Sequence, residues 1–128
     1  MAIRIVQLGS ARVKGEGLRL GTVRRPPRGV VKSEYASRNF YDVWLPELAP
    51  SEALVRKAME ASDEKEWTRF IKSYRVELRR PEKARLLGLL VALSHEVDFS
   101  LGCYCANPAR CHRSALGDLL KESGARLA

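Results

Sequence analysis

Three cysteines, a histidine, two arginines and a serine crowd into the run Cys103 to Ser114. The run reads as the end of a strand, a short turn at Ala106 to Arg110 marked by Asn107-Pro108, and the start of a helix. In an open α/β sheet, ligands sit where loops leave the carboxyl ends of strands. The N-terminus of the following helix adds unpaired N–H groups and the positive end of a dipole. Cys111, His112, Arg113 and Ser114 fall at that place. Cys111, read in the first turn, is a candidate nucleophile, because the dipole and adjacent cations lower a thiol pKa. His112 is a candidate acid or base near neutral pH. Arg113 suits bidentate capture of a phosphate or carboxylate, and Ser114 adds a hydroxyl.

Other chemistries compete for the same residues. Cys103, Cys105, Cys111 and His112 are donor types that suit zinc, but Cys-x-Cys followed by adjacent Cys-His is not a usual finger spacing. A short-range disulfide is a further use of clustered cysteines. A phosphatase-like thiolate loop is excluded, because the position six after Cys105 is Cys111 and six after Cys111 is Gly117, so no arginine closes it. The plainest reading makes Cys103 a buried strand residue and His112 a helix cap. No metal ligand and no cofactor are assigned.

A second basic group lies in residues 12 to 38, where Arg12, Lys14, Arg19, Arg24, Arg25, Arg28, Lys32 and Arg38 face only Glu16 and Glu34. Arg12 and Lys14 read as a solvated loop. Arg24 to Gly29 follows a strand directly, so Arg24 and Arg28 are expected to share a sheet edge, and one anionic ligand, with the cysteine run. The group lacks the interleaved aromatics that stack on single-stranded bases. A nucleic-acid-binding module, tracking phosphates through a basic face, remains the alternative from another class.

The elements that must position these residues are legible from periodicity. Ile3 to Leu8 and Leu18 to Val23 read as strands, with Phe40 to Trp44 a short third and Val97 to Tyr104 the last. Ser51 is an N-cap for a helix over Glu52 to Glu60, and Asp63 with Glu66 opens the next. Trp67, Phe70, Ile71, Tyr74 and Leu78 form the core stripe of that helix. Pro81 restarts a helix whose leucines, from Leu86 to Leu93, go almost all round it, so it is expected to be buried. Cys111 to Glu122 is the final helix, with Leu116, Leu119 and Leu120 inward and Gly124 as its stop. Strands first and last, with helices between, predict an α/β, layered single domain over residues 1–128, with a small mostly parallel sheet flanked by helices.

Bulk properties agree. The chain has 128 residues, 45 % hydrophobic and 30 % charged, a globular and not a disordered balance. No apolar run is long enough for a membrane span, and no signal peptide is evident at the start. Cytoplasmic placement is therefore expected. The net charge of +8 favours anionic partners; a general arginine enrichment, as in some thermophile proteins, is the plainer source.

Three stretches together resemble a known family. They are Gly17-x-Arg19 with Arg24, Pro27-Arg28-Gly29 and Lys32; then Trp44-Leu45-x-Glu47-Leu48-Ala49-Pro50-Ser51 with Trp67, Phe70, Tyr74 and Glu77-Leu78; and Cys103 with Pro108 and Cys111-His112-Arg113-Ser114. In order and spacing they resemble the YeaO-like branch of the bacterial and archaeal family known as domain of unknown function 488. The chain departs from that pattern at Val23, Pro26 and Cys105, where relatives often carry an acid, a tryptophan and an acid. The resemblance implies a compact α/β fold and a cytoplasmic setting, and no reaction.

The expectation is a basic pocket lined by Arg24, Arg28, Cys111, His112, Arg113 and Ser114. It would take an anionic small molecule, phosphorylated or nucleotide-like, with Cys111 or His112 doing the chemistry.

Overall fold

The computed structural model describes residues 1–105, 107 and 111–128. The expected turn at 106–110 therefore lies, Asn107 apart, outside the described residues. Four strands, β1 (Ile3–Gln7), β2 (Leu18–Gly21), β3 (Val43–Trp44) and β4 (Phe99–Cys103), form one sheet in the order β1-β4-β2-β3. Every pairing is parallel, and β4 lies in the middle, with Leu101 level with Ile5 on one side and Leu20 on the other. Parallel neighbours need crossovers, which the helices α1 (Glu52–Glu60), α2 (Glu64–Leu78), α3 (Pro81–Leu93) and α4 (His112–Glu122) help to supply.

The two faces of the sheet are covered differently. Ile3, Phe99 and Leu101 point into one apolar cluster with Leu54 of α1, Phe70, Tyr74 and Leu78 of α2, Leu87 and Leu90 of α3, and Leu116 and Leu120 of α4. Alternation along the strands turns Arg19 and Ser100 to the other face, where loops cover them. There Arg19, only 1 % exposed, donates to both carboxylate oxygens of Glu16 and to the carbonyls of Ser10, Ala11 and Asn39. Ser100 Oγ donates to the same carboxylate at 2.6 Å. The charged pair is thus fully hydrogen-bonded, as burial requires. Gly17 lets the loop pass: at φ +75, a Cβ there would lie 1.9 Å from the Asp98 carbonyl oxygen.

Helix boundaries follow their local signals. Ser51 Oγ accepts from Leu54 N, and Asp63 accepts from Glu66 N, as the capping pattern predicts. Pro81 occupies the first turn of α3. Several expectations need correction. Leu89 is 54 % and Leu93 36 % exposed, so α3 buries Leu87 and Leu90 but is not enclosed. Its sequence is apolar all round, yet it has a partner on one side only. β2 ends at Gly21, β3 is confined to Val43–Trp44, and β4 starts at Phe99. Arg12 is not a solvated loop residue: it bridges to Asp42 and Asn39. Among the described residues, no helix is long and apolar enough to cross a membrane.

Candidate functional site

The carboxyl ends of β2 and β4 open beside α1. Residues Thr22 to Arg25 leave β2, Tyr104 and Cys105 leave β4, and α4 begins just behind them. Between these segments and α1 lies a cleft of about 550 Å³. Glu52, Val55, Arg56 and Met59 line it from α1 at offsets of three, four and seven, one face of a helix. Val23, Arg24 and Arg25 line it from the β2 side; Cys103, Tyr104, Cys105 and His112 form the opposite part. The walls are mainly apolar, with cations at the rim, as suits a small organic anion.

His112 is the first residue of α4, and its ring is held firmly. Nε2 lies 2.6 Å from the Thr22 carbonyl oxygen. A carbonyl only accepts, so Nε2 carries the proton and Nδ1 the lone pair. Tyr74 packs edge-on against the ring, centroids 5.7 Å apart. Burial lowers its pKa to about 4; the Thr22 bond opposes this shift and nearby Arg113 adds to it. The imidazole is therefore neutral at physiological pH.

Cys111 is the N-cap of α4, one residue before the first turn in which the sequence placed it. Its side chain is buried and paired with Cys103, the sulfurs at bonding distance and the Cα atoms 7.7 Å apart. Cys105 is exposed and unpaired by disulfide. Sulfur atoms of Cys103 and Cys111 and a ring nitrogen of His112 all lie within 4.8 Å of one another. Cys105 is not in that group.

Arg113 is buried, and the guanidinium turns inward. Its Nη1 donates to the Cys105 carbonyl, at 2.5 Å, and reaches Cys103 Sγ at 3.7 Å. Burial lowers its pKa. Arg113 thus fastens the loop after β4 to α4 and does not line the cleft. Ser114 is partly buried in the first turn of α4, away from the lining, its N–H directed to the Cys111 carbonyl.

Of the expected pocket, the structure brings Arg24 and His112 to one cleft. Arg24 is committed there to structure: Nε and Nη2 donate to the carbonyls of Pro50 and Ala49, each at 3.1 Å, holding the start of α1 against β2. Arg28 lines an adjoining depression with Pro26, Pro27 and Phe40, which shares Arg25 and Tyr104 with the cleft. The charged lining residues Arg25, Glu52 and Arg56 were not expected in the pocket from the sequence. Arg25 and Glu52 form an exposed ion pair of 2.8 Å between the β2 loop and α1. The spacing of Glu52, Val55, Arg56 and Met59 on one helical face was the available signal.

The family model DUF488-N3a, described as the active DUF488-N3 subclade, matches residues 3–124. The chain belongs to the DUF488 family. The match spans β1 to β4 and α1 to α4, so it includes the residues that line the cleft. Neither the curated proteins nor the solved structures gave a match to this DUF488 chain.

Proposed function

We propose that the cleft is the active site of an enzyme acting on a phosphorylated or nucleotide-like small molecule. The observation that carries this reading is the co-location of His112 and Cys103 with Arg24, Arg25 and Arg56 around one mainly apolar cleft. Arg25 and Arg56, both exposed, receive the anionic group at the rim. Val23, Val55 and Met59 give an apolar wall against which a base or other flat group packs. Arg24 keeps α1 in place and adds positive potential. The cluster of Cys103, Cys111 and His112 stands at the inner end, where the reacting bond of the ligand would lie. The name of the matched subclade, which calls it active, fits an enzyme. The setting expected for such a protein is cytoplasmic.

Equilibrium dialysis with adenosine 5′-monophosphate and with adenosine tests the reading. The nucleotide should bind and the nucleoside should bind at least about tenfold more weakly, a gap that narrows in Arg25→Ala/Arg56→Ala. Equal binding of the two, or an unchanged gap in the double variant, contradicts it.

A further inference from the structure

We propose that the reduced protein binds one soft divalent cation of the zinc type through Cys103 Sγ, Cys111 Sγ and His112 Nδ1, with a fourth position open to the cleft. Both sulfurs and a ring nitrogen of His112 already stand within 4.8 Å of one another. Ligands about 2.0–2.3 Å from a tetrahedral zinc lie roughly 3.5–4 Å apart, so small side-chain movements suffice. The backbone holds Cys103 and Cys111 with Cα atoms 7.7 Å apart, beyond the roughly 4.4–6.8 Å of most disulfides. Separated thiolates with an ion between them fit that spacing.

Two surrounding contacts are of the kind that metal ligands have. His112 donates Nε2–H to the Thr22 carbonyl at 2.6 Å, which fixes the ring and leaves Nδ1 as the donor atom. The Arg113 guanidinium lies 3.7 Å from Cys103 Sγ. Beside a neutral disulfide that buried charge has little to gain; beside a thiolate it is an ion pair. Arg113 also donates to the carbonyls of Cys103 and Cys105, which orient the guanidinium without neutralising it. Cys103 and His112 line the cleft as well, so an ion between them faces it. Three protein ligands and one open position is the arrangement of catalytic zinc, in which a bound water becomes a nucleophile near neutral pH.

The balance is simple. A phosphine or thiol reductant supplies two electrons and, with two protons, converts the Cys103–Cys111 bond to two thiols. The cation then displaces two protons and is held by two thiolates. The inference rests on the proposed active site only for the use of the open position.

Cobalt(II) titration of the phosphine-reduced, anaerobic protein is the test. One equivalent should bind per chain, with intense thiolate-to-metal absorption and tetrahedral visible bands. Cys105→Ser should keep both, whereas Cys111→Ser and His112→Gln should lose the tetrahedral spectrum. Zinc-edge X-ray absorption on the reduced wild type makes the result independent of how those variants fold. It should give two sulfurs at about 2.3 Å and one imidazole nitrogen at about 2.0 Å. No stoichiometric binding, a spectrum lost in Cys105→Ser, or a shell of oxygens overturns the site. Dialysis of adenosine 5′-monophosphate against metal-free, disulfide-bonded protein is read separately: its failure counts against the anion cleft and leaves the metal result standing.

Discussion

Nε2 of His112 lies 2.6 Å from the carbonyl oxygen of Thr22, so the first residue of α4 is tied to the residue that follows β2. The bond sets the tautomer and turns Nδ1 away from the Thr22 carbonyl. It also fixes a pH dependence. In the metal-free, disulfide-bonded protein the folded pKa is about 4, against about 6.5 in an unfolded chain. Stability from the neutral, buried ring is therefore full above about pH 6.5 and lost as pH falls towards 4, on the order of 3 kcal/mol in all. Denaturant unfolding from pH 7 to 4 should show this loss in the wild type and a smaller one in His112→Gln. A ring titration by NMR with its midpoint near 6.5 would contradict it.

The buried pair of Arg19 and Glu16 makes a second prediction. Burial alone would raise the Glu16 pKa, but hydrogen bonds from Ser100 and Arg19 outweigh it and hold the carboxyl below its usual value. Glu16→Gln leaves the guanidinium buried without its charge partner. Unfolding free energy should fall by about 3–5 kcal/mol, measured in urea, and neither Glu16 nor Arg19 lines the cleft. A loss under about 1 kcal/mol would show that the loop relaxes and admits water.

Arg24 is predicted to act on stability as well as on binding. Arg24→Ala removes two charge-assisted bonds to the carbonyls of Ala49 and Pro50, a loss of about 2–4 kcal/mol. Arg24→Lys should recover little, because one ammonium does not reproduce the planar fork. Thermal unfolding of the two variants checks this.

Glu52 should oppose anion binding. It neutralises Arg25 across the mouth of the cleft. Glu52→Gln removes an exposed ion pair worth less than about 1 kcal/mol to the fold and frees Arg25. Adenosine 5′-monophosphate should bind about two- to fivefold more tightly to the variant, by calorimetry at low salt. Weaker binding would place the ligand on Glu52 itself.

How much of this was legible in the sequence varies with the kind of signal. Ser51, Asp63 and Pro81 announce their helix starts because capping is a local interaction, decided within a few residues. The strand end at Cys103 and the helix start beside Cys111 were legible for the same reason, as was the inward stripe of Phe70, Tyr74 and Leu78. Arg19 was not: a buried arginine and a solvated one look alike until long-range pairing supplies Glu16 and Ser100. Arg113 misled in the same way, since only the fold shows its guanidinium turned towards Cys103 and Cys105. The α1 wall of the cleft was missed because helical spacing says which residues share a face and not what that face looks at. The apolar circumference of α3 suggested enclosure, yet Leu89 and Leu93 stay exposed, because only the side carrying Leu87 and Leu90 packs into the core.

The cleft reading is tested most directly by an amide NMR titration of the full chain with adenosine 5′-monophosphate. Shift changes should centre on Arg24, Arg25, Arg56 and His112, saturate, and disappear in Arg25→Ala/Arg56→Ala. Shifts centred elsewhere, on the exposed face of α3 or the loop from Arg12 to Gly15, or no saturable shifts at all, would contradict it.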